Sequence, residues 1–428
     1  MLNGPAVLFI FAAWLHSIVR GSGSVTNYQA FVREYGVDRA DDPLSYEQRE
    51  RLFQERLRMI DAHNAKPNRL WTAGLNHFAD YTKEEFEAML GHRPSYRGRS
   101  ERPPLSFLQT RPVSKTIASS MDWRPSISSK VKDQGACGSC WAAASVSAIE
   151  SRLMIQESKA KSSSLAESGE KVSDVDLSVE QLVDCVKNPN GCGGKGGCEG
   201  ATSELAFERL LNPRHGLMPA SAYKNGYKSG RDWSKTCQEV AGAAKGASLV
   251  QSEQAVKLVK ADMSVSIGSF LRLKENSARA MEEALQDGPL VASVAAATIN
   301  PYKKGIFDTC PKNGVVNHAV EMTGYGSENN VNYWTFRNSW GPMWGESGYM
   351  RILKGGSGSA ASGAASLAED VTGSDDAEPC GWDNNPQEGV YCNMASEPKS
   401  IKVCGMCGIL SDSAVPMGIR RHDHTLAA

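Results

Sequence analysis

A cysteine follows a glycine-rich turn in the segment 134–141, which reads QGACGSCW. Cys140 stands directly before an apolar, alanine-rich run that is typical of a helix, so its thiol is predicted at a helix N-terminus. Unpaired backbone N–H groups and the helix dipole favour the thiolate there, and the thiolate is the form that attacks carbonyl carbon. Cys137 lies one helical turn earlier, and the C-x-x-C spacing alone also permits a redox pair or half of a metal site.

A nucleophilic cysteine needs a base, and that base usually comes from a distant part of the chain. Among the eight histidines, His318 lies in an apolar run that predicts a strand, and a strand would present the ring from a rigid element. Asn338 follows in the segment RNSWG. An amide that accepts from the imidazole N–H would fix the tautomer of the ring, and Trp340 would keep water away from that bond.

The composition bounds the class of protein. A chain of 428 residues with 41% hydrophobic residues can bury a large core in more than one unit. Its 47 basic and 48 acidic residues give a net charge of -1, which provides no strong field for nucleic acid or for an anionic membrane. We therefore expect no nucleic-acid partner.

The distribution of cysteines indicates an oxidising compartment. All eleven cysteines lie beyond Ala136, and that number is high for a cytosolic enzyme. An apolar block at 6–15 precedes small residues at 21–24, a pattern that predicts a signal peptide over residues 1–23. The block is too short to span a bilayer, so no stable membrane insertion is expected. The sequence thus favours the secretory pathway, with a lysosome-like or vacuole-like compartment or the extracellular space as the destination.

Periodicity divides the rest of the chain into two parts. Residues 24–116 contain an amphipathic helical stripe, a capping box at Thr82 and Glu85, and a linker rich in Arg, Pro and Ser. Residues 117–428 place helices first and strands later, at about 290–297, 315–325, 332–338 and 348–353. This order predicts an α+β fold in two lobes with the catalytic groups in the cleft between them. Polar stretches at 157–171 and 355–378 are predicted to be exposed insertions.

The segments QGACGSCW, NHAV and NSWGPMWG resemble, in order, the three active-site blocks of the papain-like cysteine proteases of the cathepsin L type. The resemblance implies a papain-like two-lobe fold, with a helical left lobe and a β-barrel-like right lobe. It implies that Cys140 is the nucleophile and that His318 is the general base and acid, with Asn338 orienting the ring. Gln134 would donate its amide to the oxyanion, and Trp340 would shield the asparagine.

The N-terminal part resembles the inhibitory prodomain of the same family. Arg49, Phe53, Ile60 and Asn64 match the family's long-helix pattern, and GLNHFAD at 74–80 matches its companion motif. Ser45 and Arg56 depart from the pattern. The resemblance implies that residues 24–116 pack on the peptidase domain and run through its cleft. Because carboxylates such as that of Asp80 lose their charge in acid, we expect low pH to loosen this segment and to permit cleavage between about residues 111 and 120.

Cysteine parity agrees with a single catalytic thiol, because ten cysteines remain when Cys140 is set aside. The family pattern implies three disulfides: Cys137–Cys198, Cys185–Cys237 and Cys310–Cys407. The pairing of the other four stays open, and one arrangement is Cys380–Cys392 with Cys192–Cys404. The pair at 404 and 407 could also be a zinc half-site or a redox pair, although a secreted chain favours disulfides.

Two further residues are implied in substrate binding. Gly200 would pair with the substrate backbone, although Glu199 and Ala201 depart from the family's turn at this point. Asp412 falls where the family places a side chain at the floor of the S2 pocket. A carboxylate there could pair with a basic side chain, so we expect Arg to be accepted at P2 alongside Leu or Phe. Asp412 could alternatively be a solvated carboxylate near a strand end.

The sequence therefore predicts a cysteine endopeptidase that is made as an autoinhibited zymogen. The alternative is a catalytically silent binding or inhibitor protein on the same scaffold. We expect a monomer whose partners are protein or peptide substrates and its own prodomain. No cofactor and no metal are expected to take part in the chemistry.

Overall fold

The computed structural model describes residues 25, 27–35, 42–91, 117–163, 174–223, 236–240, 256–259, 261–355, 378–386 and 399–424. The predicted signal peptide, residues 92–116 of the linker, and most of the two predicted insertions lie outside the described residues. The boundaries of the three predicted domains stay predictions.

Helices occur in the N-terminal segment and in the first half of the peptidase region, as the periodicity indicates. They are α1 (Tyr28–Tyr35), α2 (Tyr46–Asn64), α3 (Lys83–Ala88), α4 (Cys140–Ser163), α5 (Val179–Cys185), α6 (Ser203–Leu210) and α7 (Ala278–Leu285). Ser45 caps α2 in a capping box with Gln48, and Thr82 caps α3 in the same way with Glu85. Each box satisfies N–H groups that a helix start leaves without partners.

The expectation of a surface loop from residue 157 onward is wrong for its first seven residues. Helix α4 continues to Ser163. The segment ESKAKSS is polar, but its Glu, Lys and Ala residues have high helix propensity and extend a helix that is already nucleated.

The described residues form fifteen strands, all but two of them in the second half of the chain. They are β1 (Trp71–Ala73), β2 (Met121–Asp122), β3 (Cys237–Val240), β4 (Val256–Val259), β5 (Met263–Ser266), β6 (Ser269–Arg272), β7 (Leu290–Val294), β8 (Tyr302–Phe307), β9 (His318–Glu328), β10 (Val331–Arg337), β11 (Tyr349–Leu353), β12 (Cys380–Asp383), β13 (Ile401–Cys404), β14 (Ser413–Met417) and β15 (Arg420–Asp423). The four strands expected from the sequence correspond to β7, β9, β10 and β11, with ends that shift by up to three residues.

One large sheet organises the second half of the chain. Its strands follow the order β1-β8-β11-β10-β9-β7-β14-β6, and β2 pairs with β9. All neighbours are antiparallel except β11 and β8, which are parallel. The order places β9, which starts at His318, between β10, which ends just before Asn338, and β7. The sheet therefore brings residues that are distant in sequence to one region.

A helical lobe packs beside this sheet. Helix α4 forms its centre, and the alanine-rich sequence lets α5, α6 and the sheet approach closely. Trp141, Val146 and Ile149 of α4 are fully buried in this core. At roughly 25 cal/mol per Å² of apolar surface, each such side chain contributes about 1.5–3 kcal/mol. Because α4 also contacts β9, which starts at His318, the helical lobe packs directly against the sheet.

The N-terminal segment joins the sheet as an additional edge strand. Strand β1 pairs antiparallel with β8, with Trp71 opposite Gly305. Asn64, at the end of α2, holds β1 through two hydrogen bonds of 3.0 Å between its side-chain amide and the backbone of Ala73. Ile60 and Trp71 belong to the same apolar cluster as the sheet. The segment is therefore packed on the peptidase region and is not an independent unit.

No helix within the described part of the chain is long and apolar enough to cross a membrane.

Candidate active site

Cys140 is the first residue of α4, and its side chain is buried. The turn before it is held by the Cys137–Cys198 disulfide and by a hydrogen bond of 3.0 Å from the N–H of Gly138 to the carbonyl of Cys198. Cys140 keeps its thiol, whereas Cys137 does not. The two cysteines of the C-x-x-C segment thus differ in chemistry, and the sulfur at the helix N-terminus is the one that can ionise.

His318 starts β9, Asn338 directly follows the neighbouring strand β10, and the two side chains share a hydrogen bond. His318 Nε2 lies 2.7 Å from Asn338 Oδ1, and the N–H of Ser339 donates to the same oxygen at 2.8 Å. Since an amide oxygen only accepts, Nε2 carries the proton in this pair. In the neutral ring, Nδ1 is then the nitrogen that can take a proton, as a general base requires.

Trp340 covers the histidine. The rings of His318 and Trp340 have centroids 4.7 Å apart and are tilted by 31°. Trp344 packs edge-on against Trp340 at 5.0 Å. Both indoles are fully buried, so they exclude water from the hydrogen bond between His318 and Asn338.

The segment around Gln134 and the segment NSWGPMWG that starts at Asn338 contact each other directly. Asp133 forms a β-bridge with Trp340, and the N–H of Gln134 donates to the carbonyl of Ser339 at 2.9 Å. The Gln134 side chain accepts from Ser339 Oγ at 2.5 Å. Its Nε2 therefore has a fixed direction, and it donates to the carbonyl of Cys137 at 2.8 Å.

The side-chain amide nitrogen of Gln134 also binds a backbone carbonyl of the N-terminal segment. Gln134 Nε2 also donates to the carbonyl of Met89 at 2.8 Å. Two residues later, the carbonyl of Gly91 accepts from the N–H of Ala201 at 3.1 Å. A Cβ atom on Gly91 would lie 1.9 Å from the Gly138 carbonyl oxygen, so only glycine fits there. The segment thus runs between the Cys140 turn and the turn at 200–201.

The expectation that Gly200 pairs with a substrate backbone stays a prediction, but the prodomain segment pairs with the next residue, Ala201. The N–H that donates to Gly91 is that of Ala201. Gly200 instead adopts φ +92°, and its carbonyl accepts from Gly196. A Cβ atom on Gly200 would lie 2.4 Å from the Gly91 oxygen, so Gly200 provides close approach and Ala201 provides the hydrogen bond.

Aromatic residues of the N-terminal segment cover the tryptophan from outside. Phe78 and Phe86 pack edge-on against Trp340, with centroid distances of 5.2 and 5.4 Å. Asn76, in the same motif as Phe78, donates to the carbonyl of Asn300 at 2.5 Å, and Trp344 donates to the same oxygen at 3.0 Å. The GLNHFAD motif therefore docks directly beside the candidate catalytic residues.

A buried ion pair below the site was missed by the sequence reasoning. Arg337 Nε lies 2.6 Å from Glu321 Oε2, and Ser151 of α4 donates to Glu321 at 2.6 Å. Burial lowers the pKa of the Arg337 guanidinium, but Glu321, Tyr349 and Glu150 together raise it more, so the cation persists. The pair ties β9 and β10 to α4. Charged residues inside two otherwise apolar strands were the signal that could have found it.

Asp412 is buried immediately before β14. Its carboxylate accepts from Ser293 Oγ at 2.8 Å and lies 3.6 Å from the Arg272 guanidinium. It is therefore not the solvated carboxylate of the alternative interpretation.

The disulfides join the pairs that the resemblance implies, and one open pairing is settled. The structure contains Cys137–Cys198, Cys185–Cys237, Cys310–Cys407 and Cys380–Cys404. The suggested pairs Cys380–Cys392 and Cys192–Cys404 are wrong, because β12 and β13 place Cys380 directly opposite Cys404. Cys192 is disulfide-bonded as well, and Cys392 lies outside the described residues.

The zinc and redox interpretations of the cysteines at 404 and 407 are excluded by the same bonds, because the two sulfurs belong to different disulfides. Cys185, Cys237 and Glu239 are close enough to hold a metal ion, but the two sulfurs form a disulfide and offer no thiolate.

Comparison with known proteins assigns the family. The papain family cysteine protease model matches residues 117–369, and the cathepsin propeptide inhibitor domain model matches residues 28–86. The chain belongs to the papain family of cysteine proteases. The resemblance seen in the sequence is confirmed, including the propeptide that marks the product as a zymogen.

Curated relatives agree with this papain-family assignment, and a solved structure shares the fold. Cysteine proteinase RD21A of Arabidopsis thaliana is 31% identical over 333 residues, which cover 76% of this chain and 62% of the relative. The chain thus spans less than two thirds of that relative's length. The viral cathepsin of Adoxophyes honmai nucleopolyhedrovirus is 30% identical over 336 residues, covering 76% and 86%. The digestive procathepsin L 3 of the Tenebrio molitor larval midgut superposes with a TM-score of 0.56 at 24% identity, covering 90% of this chain and 99% of that one. The predicted fold class is confirmed.

Proposed function

We propose that this papain-family chain is a cysteine endopeptidase that hydrolyses peptide bonds in protein substrates through a thioester acyl-enzyme. The observation that carries the proposal is the carbonyl of Met89, which Gln134 Nε2 holds at 2.8 Å beside the Cys140 turn. A backbone carbonyl is the group that a peptidase must polarise. The zymogen thus already presents a peptide group to the donor that the mechanism needs.

The first half of the reaction forms the thioester. The Cys140 thiolate attacks the carbonyl carbon of the scissile bond, and the oxyanion receives hydrogen bonds from the Gln134 amide and from the Cys140 N–H. The imidazolium of His318 then gives its proton to the leaving amine, and the C–N bond breaks. The sulfur retains the acyl group.

The second half releases the acid. Water attacks the thioester carbonyl while neutral His318 takes its proton, and the C–S bond breaks to regenerate the thiolate. Asn338 keeps the ring in the orientation that both steps use, because the 2.7 Å hydrogen bond fixes Nε2. Trp340 is fully buried against the His318 ring and excludes water from that bond.

We further propose that the prodomain inhibits by occupying the cleft. Three contacts support this view: Met89 at Gln134, Gly91 at Ala201, and Phe78 on Trp340. A peptide substrate needs the same donors, so the two compete. The four disulfides of the described part are consistent with passage through the secretory pathway, and a lysosome-like compartment or the extracellular space is the proposed destination.

An irreversible thiol-directed peptide inhibitor tests the proposed function. The acid-treated precursor is labelled, digested and mapped by mass spectrometry, and it is assayed on an internally quenched peptide that is blocked at both ends. We expect one label, on Cys140, and cleavage inside the blocked peptide. Cys140→Ala should lose both signals. A wild-type protein that binds the peptide without labelling or cleavage would instead be the silent binding protein, and cleavage of unblocked peptides alone would exclude an endopeptidase.

A further inference from the structure

Two short strands outside the large sheet contact the backbone that leads into His318. They are β12 (Cys380–Asp383) and β13 (Ile401–Cys404), which are antiparallel to each other, and we call them the β12–β13 pair. The pair lies outside residues 117–369, which the papain-family model matches. Strand β9 starts at His318, so residues 310–317 lead directly to the proposed base, and we call them the lead-in segment.

Two residues of β12 contact the middle of the lead-in segment. A Cβ atom on Gly381 would lie 1.9 Å from the carbonyl oxygen of Lys312, so the two backbones are in close contact. The N–H of Trp382 donates to Asn313 Oδ1 at 3.2 Å. The backbone of β12 therefore follows the lead-in segment and does not merely touch it at one point.

Asp383, the last residue of β12, reaches the end of the lead-in segment. Its side chain is fully buried, and its Oδ2 accepts from the N–H of Val316 at 3.3 Å. Val316 is also fully buried and lies two residues before His318. Asp383 Oδ1 accepts from the N–H of Asn385 at 2.9 Å, which fixes the direction of the carboxylate. Breaking the bond to Val316 is costly, because water cannot replace either partner in a buried site.

Disulfides hold both the β12–β13 pair and the lead-in segment. Cys380–Cys404 cross-links the two strands of the pair. Cys310, at the start of the lead-in segment, is bonded to Cys407, three residues after Cys404. Asn276 Oδ1 accepts from the N–H of Cys404 at 2.9 Å and ties the pair to the loop before α7. The β12–β13 pair is thus a cross-linked support against which the lead-in segment lies.

The residue after Val316 connects the lead-in segment to the sheet. The N–H of Asn317 donates to the carbonyl of Val294 at 3.1 Å, and Asn317 Oδ1 accepts from the N–H of Ala296 at 3.1 Å. Val294 is also the partner of His318 across β7 and β9. The backbone that Asp383 holds is therefore the backbone from which the first residue of β9 extends.

We propose that Asp383 is a positioning residue for His318, and that through the N–H of Val316 it sets the distance between the imidazole ring and the Cys140 sulfur. The proposal rests on the proposed peptidase function and deepens it. A thiolate is stabilised by a nearby imidazolium, and this stabilisation weakens as the two charges separate. Loss of the Asp383 carboxylate should therefore make the Cys140 thiolate harder to form.

A purely structural role makes a different prediction. If the β12–β13 pair only stabilised the fold, its disruption would lower the unfolding temperature and the number of active sites, while each folded molecule would keep its pH profile. A positioning role moves the acid limb of the rate at which Cys140 is alkylated, because only the thiolate reacts. The position of that limb therefore separates the two roles.

The test measures alkylation of Cys140 by iodoacetamide across acid and neutral pH in the acid-activated full chain. We expect Asp383→Ala to move the acid limb up by about one pH unit and to lower kcat about tenfold, with little change in KM. Tyr223→Phe is the structural control, because it also removes one buried hydrogen bond, the one from Tyr223 to Asp184 of α5. Its acid limb should coincide with that of wild type.

Gly381→Ala tests the same contact at a second point. Its Cβ atom would collide with the backbone of Lys312, so β12 must move away from the lead-in segment. We expect the acid limb to move up by about half a pH unit. Gly268→Ala is the matched control, because a Cβ atom there would meet no atom closer than 3.4 Å.

An acid limb that is unchanged in Asp383→Ala would contradict the proposal, and so would an equal shift in Tyr223→Phe. If Asp383→Ala does not fold, Gly381→Ala decides in its place, and a limb that matches that of Gly268→Ala would overturn the proposal. Wild type whose Cys140 does not react with iodoacetamide would overturn the proposed function. An active wild type with unchanged limbs in the variants would overturn only the role of Asp383.

Discussion

At the scale of single residues, orientation is the property that the fold supplies. The Asn338 oxygen receives His318 Nε2 and the N–H of Ser339, so the amide cannot turn over without losing two hydrogen bonds. Ser339 also donates its hydroxyl to Gln134. Ser339 therefore links Asn338, the proposed orienting residue, to Gln134, the proposed oxyanion donor. A substitution of either side chain should change the position of the other.

Asn338→Ala is expected to lower kcat/KM by about 10–100-fold while KM changes little, because the ring loses its fixed tautomer and not its contact with substrate. Steady-state kinetics on a peptide substrate, corrected for titrated active sites, measures this. Asn332→Ala, at an exposed position of β10, is the control. A loss that appears only in KM would contradict the positioning role of Asn338.

At the scale of elements, the prodomain contacts the peptidase region in three ways: by strand pairing, by aromatic packing and by close approach of the two backbones. Strand β1 extends the sheet at β8, the motif at 74–80 packs on Trp340, and residues 89–91 run between two turns of the peptidase region. The last contact depends on a missing side chain, since the Gly91 Cα already lies 3.0 Å from the position that a Cβ atom on Gly138 would take. Close approach of two backbones is what blocks the cleft.

Gly91→Ala should weaken this block, because its Cβ atom would collide with the backbone of Gly138, which cannot move aside as a flexible side chain does. We expect the variant precursor to react with the thiol-directed inhibitor at neutral pH about tenfold or more faster than wild type. Gly74→Ala is a matched control, because the atoms nearest to its Cβ belong to the Lys303 side chain. Equal labelling rates for Gly91→Ala and wild type would show that residues 89–91 do not gate the cleft.

At the scale of the whole molecule, the docked prodomain contains groups that titrate in acid: an ion-pair cluster inside the prodomain and a histidine that faces Asp133 of the peptidase region. Buried Arg49 pairs with Asp42 at 2.7 Å and with Glu85 at 2.5 Å. Protonation of these carboxylates would leave the guanidinium without charged partners. Burial lowers the pKa of the His77 imidazole, although Asp133 and Asp80 oppose the shift.

The sign of the histidine effect follows from linkage. Because burial in the folded precursor lowers the pKa of His77 below its free value of about 6.5, the precursor with its prodomain docked favours the neutral ring. The contribution of His77 to docking is therefore fully present above that pH and is lost as the pH falls below it. Both the carboxylates and the histidine thus predict weaker docking in acid.

The purified precursor should therefore be processed faster at pH 4.5 than at pH 7, with a new N-terminus between about residues 111 and 120. His77→Gln should move the midpoint of the pH profile down by about half a unit, because one acid-sensitive group is removed. N-terminal sequencing and a time course at each pH measure both effects. His215→Gln, in the peptidase region, is the control; equal processing at pH 4.5 and pH 7, or no shift in His77→Gln, would contradict the pH mechanism.

Local patterns in the sequence were sufficient for much of the architecture. The capping box of α3 and the strand at His318 follow from hydrogen-bonding side chains and from hydrophobic periods that act within a few residues. The polar end of α4 was missed, because composition suggested a loop while the helix propensity of the same residues favoured continuation.

The sequence by itself determined which residues have the chemistry of a thiol peptidase and, through the odd number of cysteines, that at least one of the eleven has no disulfide partner within the chain. Tertiary structure alone decided which partners those residues meet. Cys380 pairs with Cys404 because two strands align them, Ala201 donates to the prodomain in place of Gly200, and Arg272 reaches the carboxylates of Glu204 and Asp412. The physical reason is range: propensity and capping act between neighbours in sequence, whereas disulfides, ion pairs and backbone contacts depend on distances that only the folded chain sets.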